Sequence, residues 1–436
     1  MPFRSPPPPL ATLLLVALAG FVAGCRDERP ARPDADPAAA ADGSEGRYRR
    51  ARDARPDGTA SLEERIDALE GVGYLQGSKK AGVERGVTVH DEARVAAGPN
   101  LYLSGHRPSA VLMDMDGRRL HEWRYDFEAA FPDFPADKME KSHMREYWRR
   151  AWLSERGELL AIFEGHALLK LSPDSELLWT FEGKPHHDLD VAPDGTIHVL
   201  TRTAHLVPRI HPTEPVLEDF VSILDADGNE RRRVSVLEAF ERSGFAHTLS
   251  RMPRHGDLLH TNTIEVLDGR IADVDPAFRA GNVLISCLKT STIAVIDLDE
   301  EKVVWALNGS FVRQHQPTVL DNGHLLLFDN LGGRNRKIGK SRVLEIDPAT
   351  RATVWSYEGT EDEPFQSDTC GSCQRMPNGN TVVTESDFGR AFEVTPDGEI
   401  VWEFVNPHRA GPRNELIATL FELVRLPPDF PLDWVP

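Results

Sequence analysis

The sequence predicts an all-β chain, a six-bladed β-propeller of four-stranded antiparallel blades with short helical extensions at its N- and C-terminal ends. Three observations lead there. A strand–turn–strand segment closing on Trp recurs along the chain. A second recurring segment places a Gly turn ahead of a β-rich run. The runs between turns are short, alternating and β-branched, at strand length and not helix length.

The closing segment reads LMDMDGRRLHEW (112–123), LKLSPDSELLW (169–179), AVIDLDEEKVVW (294–305), LEIDPATRATVW (344–355) and FEVTPDGEIVW (392–402). Its tryptophans are Trp123, Trp179, Trp305, Trp355 and Trp402. The interval from Trp179 to Trp305 is about double the others, and VSILDADGNERRRVSV (221–236) fills it with the same pattern but no Trp. That makes six units at a period of about 50 residues, the sequence signature of a propeller. The opening segment appears as VAPDGTIHVLTR (191–202), VLDNGHLLLFDN (319–330) and RMPNGNTVVTES (375–386). Each unit is thus strand, Gly turn, strand, strand, Asp/Pro turn, strand. The propeller is expected over 82–410, with a helical or irregular insertion at 235–257. The extension 411–436 is expected to hold a short helix at Glu415–Leu423.

Composition agrees with a large globular body. Of 436 residues, 40% are hydrophobic and 27% charged, with 33 Gly and 32 Pro to supply turns. The balance excludes collagen, a coiled coil, a polytopic membrane protein and a fully disordered chain. The formal charge is −19. Such a field repels phosphate backbones, so nucleic acid is not an expected partner.

The N-terminal region reads as an address. Residues 10–24 are an apolar run too short to span a bilayer and suited to a signal sequence. Val22, Ala23 and Gly24 lead into Cys25, a pattern resembling the lipobox of bacterial lipoproteins, in which the Cys is acylated. The resemblance implies a lipid anchor on a membrane and a body facing the periplasm or the exterior. Residues 26–60 are a polar tether. Ser61 and Glu64 form a capping box before a helix at Leu62–Leu69, the start of a lead-in over 61–81.

Three cysteines remain. In an oxidising compartment Cys370 and Cys373, in CGSC, are candidates for a local disulfide. Inert thiols, a redox pair and a metal site are the alternatives. The motif lacks both a thioredoxin-like βαβ context and a second ligand pair.

The histidines carry the functional expectation. His187 lies eight residues before Gly195, and His315 eight before Gly323. His260 opens HTNTIEVL, with an insertion at 268–280 delaying the next strand. All three therefore begin an innermost strand, and equivalent positions on successive blades face one end of the channel. Asn262, two residues beyond His260, lies on the same side. Lys289 is expected on the next strand of that blade. A three-His zinc site is the competing chemistry, although only Asp188 offers a carboxylate in register. No metal or cofactor is expected.

The segments HHDLDVAPDGTIHVLTR (186–202), HTNTIEVLDGR (260–270), GNVLISCLKTSTIAVIDLDEEKVVWAL (281–307), QHQPTVLDNGHLLLFDN (314–330) and NGNTVVTESDFGRAFEVTPDGEIVWEF (378–404) resemble the bacterial arylsulfate sulfotransferases and their arylsulfotransferase-like relatives. The resemblance implies a six-bladed propeller that transfers a sulfuryl group from an aryl sulfate to a phenol, without a nucleotide sulfate donor. It implies His315 as the nucleophile that carries the group, His260 and Asn262 as auxiliary residues, and His187 as a further channel histidine. The family commonly has Arg where this chain has Lys289, which keeps the charge but loses the two-pronged grip on oxygens. Phe328 and Phe388 are candidates to stack on an aryl ring, or else core residues. The alternative to an enzyme is a non-catalytic propeller lipoprotein that binds an envelope protein or a glycan.

Overall fold

The computed structural model describes residues 61–70, 76–135, 145–309, 311–330, 340–361 and 363–435. The segments expected to be a signal sequence and a tether, with Cys25 between them, lie outside these residues. Six sheets, each built on four antiparallel strands, follow one another along the chain in a propeller-like arrangement. The second comprises Ala151–Leu153, Leu159–Phe163, Ala167–Leu171 and Leu177–Phe181. The third comprises Pro185–Val191, Ile197–His205, Val216–Leu224 and Glu230–Ser235. The fourth is built from Thr261–Val266, Val283–Cys287, Thr292–Asp297 and Lys302–Asn308. The fifth holds His315–Val319, Leu325–Asp329, Arg342–Ile346 and Thr353–Tyr357. The sixth holds Ser372–Arg375, Thr381–Glu385, Arg390–Val394 and Ile400–Val405.

The first sheet is assembled from both ends of the chain. Asn100–Ser104, Ser109–Met113 and Arg119–Arg124 supply three strands. Leu420–Arg425 pairs antiparallel with Asn100–Ser104 and supplies the fourth. This corrects the expected C-terminal helix at Glu415–Leu423. Leu416–Ala418 and Leu420–Arg425 are strands. The apolar spacing of LIATLFELV suits either structure, and tertiary demand decides. Phe421 packs into the cluster between the first and second sheets, while Leu420 and Leu423 pack into that between the sixth and first. A strand sends the neighbours Leu420 and Phe421 to opposite faces, and the register shift between Leu420 and Glu422 returns Leu423 to the face of Leu420. The sheet framework therefore extends to Arg425, past the expected limit at 410. The N-terminal helix forms at Leu62–Glu70 with its capping box, Glu64 N–H donating to Ser61 Oγ and Ser61 N–H to Glu64. The segment after the third sheet is helical at Val236–Glu241, with Ser235 as its cap. Among the described residues, no helix is long and apolar enough to cross a membrane.

Each hydrophobic cluster fills the space between two consecutive sheets. Leu112 and Trp123 of the first meet Leu159 and Ala161 of the second. Ile162 of the second meets Val199 of the third, and Val221 of the third meets Ile285 of the fourth. Val295 of the fourth meets Leu327 of the fifth, and Phe328 of the fifth meets Val383 of the sixth. Phe404 of the sixth then packs with Tyr102 and Val111 of the first. The recurring Trp serves this packing. Trp123 Nε1 donates to the carbonyl of Gly157, Trp355 Nε1 to Pro396 and Trp402 Nε1 to Met115. In each case the acceptor lies in a turn of the next sheet, and for Trp402 that sheet is the first. Gly228 belongs to the same scheme, because a Cβ there would come within 2.7 Å of the Trp179 ring.

Carboxylates lace the first strands of the sheets together. Asp188 accepts Ile264 N–H, Asp190 accepts Val266 N–H, and Glu265 accepts Val319 N–H at 2.8 Å. Burial pushes Asp190 up to about 6 and Glu265 up to about 8. Folding thus keeps a proton on Glu265 that the unfolded chain, at an ordinary 4.5, has released. Stability is therefore lost as pH rises from about 4.5 through about 8, with Asp190 acting in the same sense. Melting temperature is expected to fall between pH 6 and pH 9, and Glu265→Gln, neutral throughout, to flatten that fall. Calorimetric melts of both proteins across the range test this, and an unchanged slope in the variant refutes it.

Candidate functional site

Four sheets begin their first strand at an equivalent place, and there the backbone is forced into the left-handed region. His187 (φ 58°), His260 (φ 53°), Gln316 (φ 44°) and Cys370 (φ 53°) all adopt it without being glycine. Each such residue costs about 1–3 kcal/mol, and such strain clusters at functional sites. At His187 the consequence is visible in the register. Pairing with the next strand breaks between Pro185 and Leu189. Successive side chains, which a regular strand would send to opposite faces, both turn inward.

His187 and His260 meet directly, Nε2 to Nε2 at 3.1 Å. Asp257 Oδ2 holds His260 Nδ1 at 2.5 Å from the other side. Lys289 Nζ stands 3.8 Å from the same carboxylate oxygen. Lys289 occupies the tight turn Leu288–Thr290 that follows the strand Val283–Cys287, just beyond the strand on which it was expected. Burial alone would raise Asp257, but His260, Lys289 and Arg202 hold it far below the usual carboxylate range. Asp219 next to it behaves oppositely, pushed up to about 7 by burial and by the Asp257 charge.

His315 is locked in one orientation. Its Nδ1 lies 2.8 Å from Asn330 Oδ1 and 3.0 Å from the Arg313 carbonyl, both acceptors, so Nδ1 carries the proton. Nε2 is then a bare lone pair, buried and without a hydrogen-bond partner. Burial, helped by the Arg149 and His260 charges and opposed only in part by the Asn330 hydrogen bond, lowers the ring to about 3. Asn262 is also buried, and its Nδ2 donates to the Gln314 carbonyl at 2.9 Å. It braces the residue next to His315. His187 and His260 are thus in contact, Lys289 joins them through Asp257, and His315 and Asn262 share the neighbouring strand boundary.

Several groups of this site escaped the sequence reading. Asp257 lies ahead of the repeat unit, in the two-residue strand Gly256–Asp257. His186 was visible in the HHD triplet, yet regular alternation would have sent it outward. Its Nδ1 is 2.7 Å from His187 Nδ1. Glu164 accepts His187 N–H and lies 3.5 Å from Arg202 Nη1. The donor atoms of Glu164, His186 and His187 fall within 4.8 Å of one another, a set able to hold a cation. Arg149, buried against the Phe421 ring, projects its charge on His187 and His315. Its signal was the pair Arg149–Arg150 just ahead of the second sheet's first strand.

At the CGSC motif and at Phe328 the structure fits the inert one of the readings left open. Cys370 and Cys373 are free buried thiols, not a disulfide. The left-handed turn at Cys370 and Gly371 sends Cys370 into the cluster of Tyr147 and Phe421, and Cys373 into that of Phe328 and Phe392. Phe328 is itself fully buried in that core and offers no face to an aryl ring. Phe388 is half-buried with Lys79 Nζ over its ring at 5.0 Å.

Beneath the histidines lies an ionic hub. Arg150 pairs with Asp188 at 2.8 Å and with Glu422 of the closing strand. Gln316 Nε2 also reaches Glu422, at 3.4 Å.

Residues 157–407 match the family model described as arylsulfotransferase (ASST). The match spans more than half of the chain, and the protein belongs to that family. No curated protein matches the chain. Among solved structures, a protein of unknown function from Bacteroides caccae is 13% identical, covering 71% of this chain and 94% of that chain with a TM-score of 0.46. The WD40 β-propeller domain of Doa1 is 14% identical over 81% of this chain and 96% of that chain, with a TM-score of 0.43. Streptogramin B lyase is 13% identical over 78% and 93%, also with a TM-score of 0.43.

Arg150→Met would leave the Asp188 and Glu422 carboxylates buried without their cation. The expected loss is about 3–5 kcal/mol of folding stability. Urea denaturation of the variant measures it, and a change under about 1 kcal/mol would remove the hub from the account.

Proposed function

We propose that the six sheets are the blades of one closed six-bladed propeller, and that its histidine cluster transfers a sulfuryl group from an aryl sulfate to a phenol through His315. The observation that carries this reading is the His315 ring, with its Nδ1 proton committed to Asn330 and its Nε2 lone pair buried and unpartnered. A neutral imidazole in one fixed tautomer is a nucleophile at neutral pH. Family membership supplies the substrate class.

In the first half-reaction His315 Nε2 attacks sulfur, an N–S bond forms and the S–O bond to the aryl group breaks. The leaving phenolate takes a proton from His260, which the Asp257 carboxylate orients and supports. In the second half-reaction the acceptor phenol returns its proton to His260, its oxygen attacks sulfur and the N–S bond breaks. His315 is regenerated and no proton is gained or lost. Arg149, Lys289 and Arg202 lie around the cluster and oppose the global negative charge, so the sulfuryl oxygens meet local cations. Arg149 supplies a guanidinium fork where the family pattern has lost one to Lys289. We further propose acylation at Cys25, which would place this site on a membrane surface outside the cytoplasm. The binding-protein alternative has no comparable observation in its favour.

With p-nitrophenyl sulfate as donor and phenol as acceptor, the protein is expected to release p-nitrophenolate with ping-pong kinetics. Intact mass spectrometry under donor alone should show the added mass of one SO₃. His315→Ala should abolish both. A wild-type protein that shows neither would overturn the reading. His260→Ala should retain the adduct but turn over about 10²–10⁴-fold more slowly, since it removes the proton donor and not the nucleophile.

A further inference from the structure

Sulfuryl transfer gives no task to Glu164 or His186, yet both are almost completely buried beside His187. Their arrangement is specific. The two Nδ1 atoms face each other at 2.7 Å, and Glu164 Oε1 lies 3.4 Å from His187 Nδ1. Consecutive residues of a strand converge in this way only because His187 is left-handed and the register breaks around it. The remote nitrogens are also oriented. His186 Nε2 faces Asp219 Oδ1 at 3.5 Å, and His187 Nε2 faces His260, which Asp257 backs. Carboxylates behind imidazoles in this manner are the usual outer support of metal-ligating histidines.

We infer that Glu164, His186 and His187 form a site for one divalent transition-metal ion of the zinc type. Two imidazole nitrogens and one carboxylate oxygen are a known zinc set that leaves a position open, which would take an anionic oxygen. Arg202, 3.5 Å from Glu164, opposes the cation, while Asp257 and Asp219 offset it. The inference does not rest on the sulfuryl-transfer reading, because His315 is not a ligand and the expected readout is metal content.

The test loads the full chain with Zn(II) or Co(II), removes free metal by dialysis and counts ions by plasma mass spectrometry. About one ion per chain is expected, and the Co(II) form should show the visible absorption of a tetrahedral nitrogen–oxygen site. Glu164→Gln and His186→Asn should lose the ion, His315→Ala should keep it, and Asp219→Asn should weaken binding about 10–100-fold. Wild-type protein that retains no ion after loading overturns the inference and leaves a proton shared between the two Nδ1 atoms. Retention by both ligand variants overturns it equally. If those variants fail to fold, the wild-type stoichiometry and the Co(II) spectrum decide alone.

Discussion

The buried Arg150 guanidinium is the contact on which the rest of the structure depends. It stands ahead of the second sheet, pairs with Asp188 of the third and with Glu422 of the closing strand in the first. Asp188 also receives Ile264 N–H of the fourth sheet, and Glu422 receives Gln316 of the fifth. One cation thus reaches five of the six sheets through two carboxylates. The sixth is tied to the closing strand separately, through the fully buried pair of Arg425 and Glu393. Buried pairs of this kind recover little net stability, since desolvation offsets their attraction. What they impose is position. A sheet that slid along its neighbour would strand a charge, so the places where the first strands begin are held to fractions of an ångström. The histidine cluster is built at those places.

Much of the framework was legible because it repeats. Trp123, Trp355 and Trp402 perform one task, an indole N–H donated to a turn of the following sheet, and a task repeated in space leaves a repeat in sequence. The spacing of His187 and His315 from their Gly turns worked for the same reason. The C-terminal segment did not repeat anything. Leu416–Arg425 has a spacing compatible with helix; pairing with Gly77–Lys80 makes Leu416–Ala418 a strand, and the missing fourth strand of the first sheet makes one of Leu420–Arg425. Asp257 and Glu164 were invisible for a related reason, and Arg149 was marked only by its place beside Arg150. They come from strand ends and connections outside the recurring unit, and only folding brings them to the imidazoles. His186 was hidden by a rule that normally holds, the alternation of a strand, which the left-handed His187 suspends.

The site divides its ionisable groups into two kinds. His315, His186 and His187 are held neutral by burial. Asp257 is held ionised by the cations that surround it, which suits a group that must support a proton carrier. Both states are kept by surroundings that cost folding free energy, in left-handed backbone and in desolvated charge. The large apolar clusters between sheets supply the compensation.

The closing strand has a temporal meaning as well. Residues 420–425 complete a sheet whose other strands lie between 100 and 124, so that sheet stays unfinished until the chain has been made through residue 425. Glu422, the partner of Arg150, arrives with it. Synthesis that stops short of residue 420 therefore releases a chain whose first sheet lacks a strand and whose Arg150 lacks one of its two carboxylates, so this segment acts as a seal on what was built before it.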